Sequence, residues 1–340
     1  MTSLTLSYLN SGELAAHIAH YSGQVLGISG FGRTVVHSAD SPLIWVDMPV
    51  LGADALFEVW TSGTPVVRAS EAGIESARNA EVFYGCFEAP QPHGESIESA
   101  TFRAYAKIFA CIDRAGYTHL WRIWHYFPHI NTTENGLERY HGFNMGRHDA
   151  FVAKDRMIDE QNAPAACALG SRSGPMVIYF LAGRQAGIPI ENPRQTSAYH
   201  YPKQYGPRSP TFARAMLVGA GRDQKLFISG TASIVGHATR HAGDVVEQTR
   251  ETLANIRALL AQAKNAGFDA LTQDHRLLLK VYLHHPDSLP LVRAQVAEEF
   301  GAMQQAVYLQ ADVCRADLLL EIEGVCAYFN PSLAPLKAST

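Results

Sequence analysis

The chain has 340 residues, 47% hydrophobic and 18% charged, with a formal charge of −4 and a pI near 6.4. That is enough for one large or two ordinary domains with a real core, and the lack of a basic excess or a Lys/Arg run argues against nucleic acid or an anionic membrane as partner. No stretch approaches the roughly 18 apolar residues of a membrane span, and the opening "MTSLTLSYLNSGELAAH" lacks a basic end, an apolar stretch and a cleavage site, so a cytoplasmic protein is expected. Cys86, Cys111, Cys167, Cys314 and Cys326 are odd in number and form no CxxC, which indicates reduced thiols rather than a disulfide framework or a thiolate zinc site.

In chain order, residues 1 to 75 contain "GQVLGISGFG", "PLIWVDMPVLG" and "ALFEVWTSG", glycine-punctuated strands of a sheet. "GISGFG" has the wrong glycine spacing for a dinucleotide fingerprint and opens no helix, and is expected to be a turn. A β-α-β-α-β series follows: strand 80–90, helix 96–117, strand 120–130, helix 136–153 and strand 175–183. The same order recurs as strand 225–233, helix 243–268, strand 277–286, helix 290–309 and strand 317–329. Thr101, Ala106 and Ile108 meet Thr249, Ala254 and Ile256 at one offset, "AGY" meets "AGF", and Pro128 and Pro286 close equivalent strands. The expected fold is therefore α+β, with two repeats whose mixed sheets pack face to face and whose helices lie outside. The expected domains are 1–190 and 191–340, the second carrying the catalytic strand. Two such copies satisfy each other's open sheet faces, so a monomer is expected.

Chemistry concentrates in three places. On the last strand Glu321 and Glu323 lie two apart and share a face, while Leu318, Leu320 and Ile322 fill the other. A carboxyl group there is either on an exposed sheet face or in a semi-buried cavity, where desolvation would make it a proton donor near neutral pH. "YHGFNMGRHDAF" (140–151) places Tyr140, Asn144, Arg147 and His148 near one helix face, a surface on which Arg147 could bind a carboxylate. "NPRQTSAYHYPKQYGPRSP" (192–210) offers Arg194, Tyr199, Tyr201, Lys203 and Arg208 to an anionic, ring-shaped ligand where the halves meet. The histidine pairs in "HYFPH" and "GHATRH" lack the carboxylate of a zinc peptidase, so a metal is not expected.

Residues 205 to 330 resemble the RidA (YjgF-like) fold, through "LFISGTAS", "ETLANIRALL", "LLKVYL" and "LLLEIEGVCAY". The whole chain resembles the chorismatase family through "RIWHYFPHIN", "YHGFNMGRHDAF", "NPRQTSAYHYP", "SGTASIVGHATRH" and "VCRADLLLEIEG". The resemblance implies a cofactor-free enzyme that cleaves chorismate to 3-hydroxybenzoate and pyruvate, supplying a starter for a pigment or polyketide. It implies Glu321 as the acid that protonates the enolpyruvyl methylene, with Arg147 first, then Tyr199, Tyr201, Arg194 and Lys203, and backbone near Gly230, holding the substrate carboxylates. A cysteine seven residues before the acid marks the 3-hydroxybenzoate type, and Cys314 fits it. A second family marker, a small residue in the glycine-rich strand, aligns with Ala232 and points to the hydrolytic type instead. A mixed 3-/4-hydroxybenzoate product, a purely hydrolytic chorismatase and a RidA-like imine deaminase or metabolite binder therefore stay open.

Overall fold

A computed structural model describes residues 4–32, 41–270, 272, 274–301 and 304–328. Three larger mixed sheets enclose a common centre. The first comprises β1 (Leu4–Leu9), β2 (Val25–Gly32), β3 (Leu43–Val46) and β4 (Ala55–Ser62), in the order β1-β4-β2-β3, with α1 (Ser11–His20) after β1. The second takes β5 (Val67–Glu71), β6 (Ile74–Arg78), β7 (Val82–Ala89) and β8 (His119–Pro128), then, past a short ribbon of β9 (Thr133–Glu134) and β10 (Leu137–Glu138), β11 (Ala165–Ser171) and β12 (Met176–Gly183). Its helices are α2 (Ile97–Ala115) and α3 (Arg139–Ala153), and its order is β11-β8-β12-β7-β6-β5. The third has β13 (Ile188–Ile190), β14 (Ala215–Val218) and β15 (Lys225–Thr231), a ribbon of β16 (Ile234–Val235) and β17 (Ala238–Thr239), then β18 (His275–Leu283), β19 (Gln304–Gln310) and β20 (Leu320–Tyr328). Helices α4 (Val245–Asn265) and α5 (Leu289–Phe300) belong to it, and its order is β13-β14-β15-β20-β18-β19.

The α+β class and both repeats are present with their helices outside. Read from the other edge, the third sheet has the strand order of the second, and each has one parallel pair, β8 with β11 and β18 with β19. The residues that match in sequence do the same work in both copies. Thr101 and Thr249 are fully buried and bond the carbonyls of Ile97 and Val245 one turn back, at 2.7 and 2.6 Å. Gly116 and Gly267 adopt positive φ (76° and 89°) just beyond the helices. Left-handed backbone of this kind carries a strain penalty for other residues.

The first sheet repeats the plan in shorter form. Its β2–β3 pair is parallel, β4 lies beside β2, and β1 precedes α1, so its described strands follow the same path as β7-α2-β8 and β11-β12. The fold is therefore three-sided rather than two-sided. Apolar residues of all three sheets, among them Leu6, Trp60, Tyr179, Phe227 and Val325, share one inner core, and separate outer cores lie under the helices.

Two local expectations are corrected, and one strand that the sequence did not signal is added. "GISGFG" is not a turn but the interior of β2, where glycine permits close packing: a Cβ on Gly27 would lie 2.1 Å from the Tyr84 ring and one on Gly30 2.3 Å from the Trp45 ring. The expected helix 290–309 stops at Phe300, Gly301 turns with φ 51°, and Gln304–Gln310 becomes β19. Its counterpart β11, "AACALGS", lacked any β-branched signal because small residues are needed where β15 of the next sheet presses on it; Ala166 N–H donates to Ser229 Oγ at 2.9 Å. Among the described residues no helix is long and apolar enough to cross a membrane.

Candidate active site

Alternation along β20 sends Leu320, Ile322 and Cys326 outward into the helix-covered core and Glu321, Glu323 and Val325 inward. Glu321 opens into a cavity of about 240 Å³ at the junction of the second and third sheets. One wall is α3 with Tyr140, His141 and Arg147, and β11 with Cys167. Gly230, Ala232, Cys314 and Arg315 line it as well, together with Tyr201, Tyr205, Phe212 and Arg214 of the segment 201–214.

The acid is seated by backbone. The β15–β20 register shifts between Ile228 and Thr231, and Gly230 falls in that shift. A Cβ on Gly230 would lie 1.9 Å from Glu321 Oε1 and 3.2 Å from Cys167 Cβ, so the absence of a side chain is what makes room for the carboxyl. Burial, and secondarily the neighbouring Glu323 carboxylate, push Glu321 up to about 8, with Arg122 pulling the other way. A carboxyl so placed keeps its proton at neutral pH. The Cys314 thiol is pushed up to about 12 by burial and by Glu321, so it is a neutral wall and not a nucleophile.

Three arginines line the same cavity. Arg147 is 2% exposed; its Nη2 donates to the Thr211 carbonyl and its guanidinium lies 5.7 Å from the Tyr105 ring centre. Tyr105 is held in turn by His125: Cys167 O can only accept, so His125 Nδ1 carries the hydrogen of their 2.7 Å bond, and Nε2 accepts from Tyr105 Oη at 2.8 Å. Arg214 Nη2 donates to Tyr201 Oη at 2.9 Å, and Arg315 stacks 4.0 Å from the centre of the Tyr205 ring. Buried Arg147 Nε and Arg214 Nε find no protein acceptor among the described residues. A neutral acid in one cavity with spare guanidinium donors suits a substrate that presents carboxylates to the arginines and a protonatable carbon to the acid.

Comparison with known proteins gives the family. The family described as "Chorismatase FkbO/Hyg5-like, N-terminal" matches residues 58–182. A 3-hydroxybenzoate synthase from Streptomyces hygroscopicus is 38% identical over 94% of this chain and 96% of its own. The chain belongs to the chorismatase family. A chorismatase from Streptomyces rapamycinicus is 36% identical over 91% of each chain. A chorismatase crystal structure at 1.08 Å resolution is similar with TM-score 0.84 and 33% identity, covering 96% of this chain and 99% of the other.

In this chorismatase the sequence-derived residues divide. Glu321, Cys314, Ala232, Gly230, Arg147 and Tyr201 all line the cavity. Arg194, Tyr199 and Lys203 do not, which corrects their assignment as cavity ligands. Arg194 is committed to α4, donating to Asn255 Oδ1 at 2.7 Å and pairing with Glu251. Tyr199 stacks edge-on against His200, and Lys203 is exposed in a 3-10 turn. Asn144 is fully buried behind the wall, one turn from Tyr140, and Arg208 pairs with Asp149 at 3.5 Å instead of facing the cavity. Sequence reasoning missed Cys167, Arg214 and Arg315. Arg315 stands beside Cys314 in a quoted motif and was within reach, whereas Cys167 and Arg214 carry no local signal.

Proposed function

We propose that this chain converts chorismate to 3-hydroxybenzoate and pyruvate, with Glu321 as the proton donor to the enolpyruvyl methylene carbon. The observation that carries the reading is the buried Glu321 carboxyl, without an ion pair among the described residues and raised by burial, in a cavity lined by Arg147, Arg214 and Arg315. Protonation of the methylene makes an oxocarbenium ion; water adds to it, and collapse of the adduct releases pyruvate. Loss of one water then aromatises the ring, so chorismate and the two products balance with no net water. The arginines would hold the substrate carboxylates, and Tyr201, bonded to Arg214, would orient one of them.

The product outcome belongs to the same cavity, because both family markers, Cys314 and Ala232, line it. Cys314 favours 3-hydroxybenzoate, while Ala232 supports a share of 4-hydroxybenzoate or dihydrodiol. A monomer is the state we infer, since the three sheets bury their inner faces within one chain. The test is incubation of purified protein with chorismate in the presence of EDTA, with products resolved by chromatography and mass. Pyruvate with 3-hydroxybenzoate is expected, and a 4-hydroxybenzoate peak above the no-enzyme control would mark the mixed type. Intact chorismate would overturn the reading.

A further inference from the structure

Behind the cavity, at the centre of the three sheets, lies an ionic cluster that touches no cavity surface except through Glu321 and Cys167. Lys280 of β18 bridges Glu58 of β4 and Glu323 of β20, the latter at 2.9 Å, and Arg122 of β8 pairs with the second Glu323 oxygen. Side-chain donors complete it: Trp124 Nε1 and Tyr282 Oη donate to Glu323 at 2.9 and 3.0 Å, and Trp60 Nε1 and Tyr179 Oη to Glu58 at 2.9 and 3.1 Å. Lys280, Glu58 and Arg122 are at most 1% exposed. Cations are expensive to bury, and a hydrophobic centre of the same volume would be as stable or more so. The cluster therefore calls for a role.

Its charges suggest one. Two anions and two cations cancel, leaving no cation for a third anion on the same strand face. Glu321 makes no ion pair among the described residues. We propose that the Glu58–Lys280–Glu323–Arg122 cluster is a positioning device for the reaction: it fixes Glu323 as the anion, so that Glu321, two residues away on the same face, is the carboxyl that carries the transferable proton. The inference rests on Glu321 being the acid of the proposed function.

The electrostatics agree in direction. Glu323 is pressed upward by burial but held down to about 2 by Lys280 and Arg122. Around Glu321 the other groups are Cys167 on β11, Tyr282 opposite it on β18, Glu138, Tyr140, His141 and Arg147 at and along α3, Tyr201, Tyr205 and Arg214 in the segment 201–214, and Cys314 and Arg315 in the loop before β20. Burial keeps the thiols of Cys167 and Cys314 and the phenols of Tyr140 and Tyr282 neutral. Arg147 and Arg315 are engaged by Thr211 O and by His237 O. These arginines keep their charge, but the charges that act most strongly on Glu321 are Glu323, which raises it, and Arg122, which lowers it, and these two are paired in turn with Lys280 and, through it, Glu58.

The test is the alkaline limb of the kcat profile with chorismate, alongside thermal melts that establish folding. A unit charge removed at roughly 10 Å should move that limb by about one pH unit. Glu58→Gln should move it down, Lys280→Met up, and the charge-preserving Glu58→Asp should leave it in place. A merely structural role would lower the rate at every pH without opposite displacements, and two displacements of the same sign would overturn the proposal. Infrared difference spectra with carboxyl-labelled glutamate give a second readout independent of turnover. A neutral-carboxyl band at pH 7 should vanish in Glu321→Gln and also in Glu323→Gln, where Glu321 inherits the cations. Persistence of the band in folded Glu323→Gln would overturn the proposal. If no cluster variant folds, the Glu321→Gln minus wild-type spectrum decides: no neutral band assignable to Glu321 at pH 7 overturns it. Failure of the functional reading is distinct, and would show as pyruvate release by Glu321→Gln.

Discussion

Glu321 and Glu323 are the same residue type on the same face of the same strand, yet they occupy opposite electrostatic settings. Glu323 has Arg122, Lys280, Trp124 and Tyr282 around its oxygens and is held down to about 2; Glu321 has a bare glycine and a cavity and is pushed up to about 8. The lesson is that a pair of carboxylates becomes an acid and a counter-ion through what faces them, not through their spacing.

The comparison can be broken most severely at the acid. Glu321→Gln should lower pyruvate release by about 10²–10⁴-fold, the usual worth of a general acid. The same change should raise the melting temperature at neutral pH. A carboxyl raised from 4.5 to about 8 has its full share of stability below the unfolded value and loses it as pH rises toward the folded one. At pH 7 that loss is on the order of 3 kcal/mol, which glutamine does not suffer. Calorimetry of both proteins at pH 5 and 7.5 checks the sign, with the gap widening at the higher pH. Glu323 behaves oppositely, contributing stability above the ordinary carboxyl range that is lost as pH falls toward 2.

Next in size, Gly230→Ala puts a methyl where Glu321 Oε1 sits, 1.9 Å away. Displacing the acid by about an ångström should cost on the order of 10²-fold in kcat with the fold intact by circular dichroism. Arg147→Lys keeps the charge but loses the planar fork, and should raise KM about tenfold with a smaller change in kcat. Smallest in rate, Cys314→Ala should alter the partition of products toward the dihydrodiol while chorismate consumption stays close to wild type. An unchanged product ratio by chromatography would remove Cys314 from product control.

Legibility varied with how local the cause is. The helices α2 and α4 were visible because their apolar faces repeat at helical spacing and glycines stop them. The strands β11 and β19 were not, since one is built of alanine and glycine to let another sheet approach and the other continues a helix-like pattern past Gly301. In the site, Arg147 and Tyr201 were found because they stand in motifs, but Arg194 in the same motif turned out to brace α4. The first sheet was legible as strands and illegible as an equal partner of the other two, because its abbreviated chain leaves little self-similarity to detect.

Sequence by itself determined that Glu321 and Glu323 share a face, because side-chain alternation in a strand is a property of the backbone. It also determined the ends of α2 and α4 to within a few residues and the doubled β-α-β-α-β order, set by residues a few positions apart. Only the tertiary structure decided which carboxylate keeps the proton. Arg122, Lys280 and Glu58 come from three sheets and lie tens to hundreds of residues away in the chain, and electrostatic energy depends on distance in space and exclusion of water, neither of which is written in spacing along the chain.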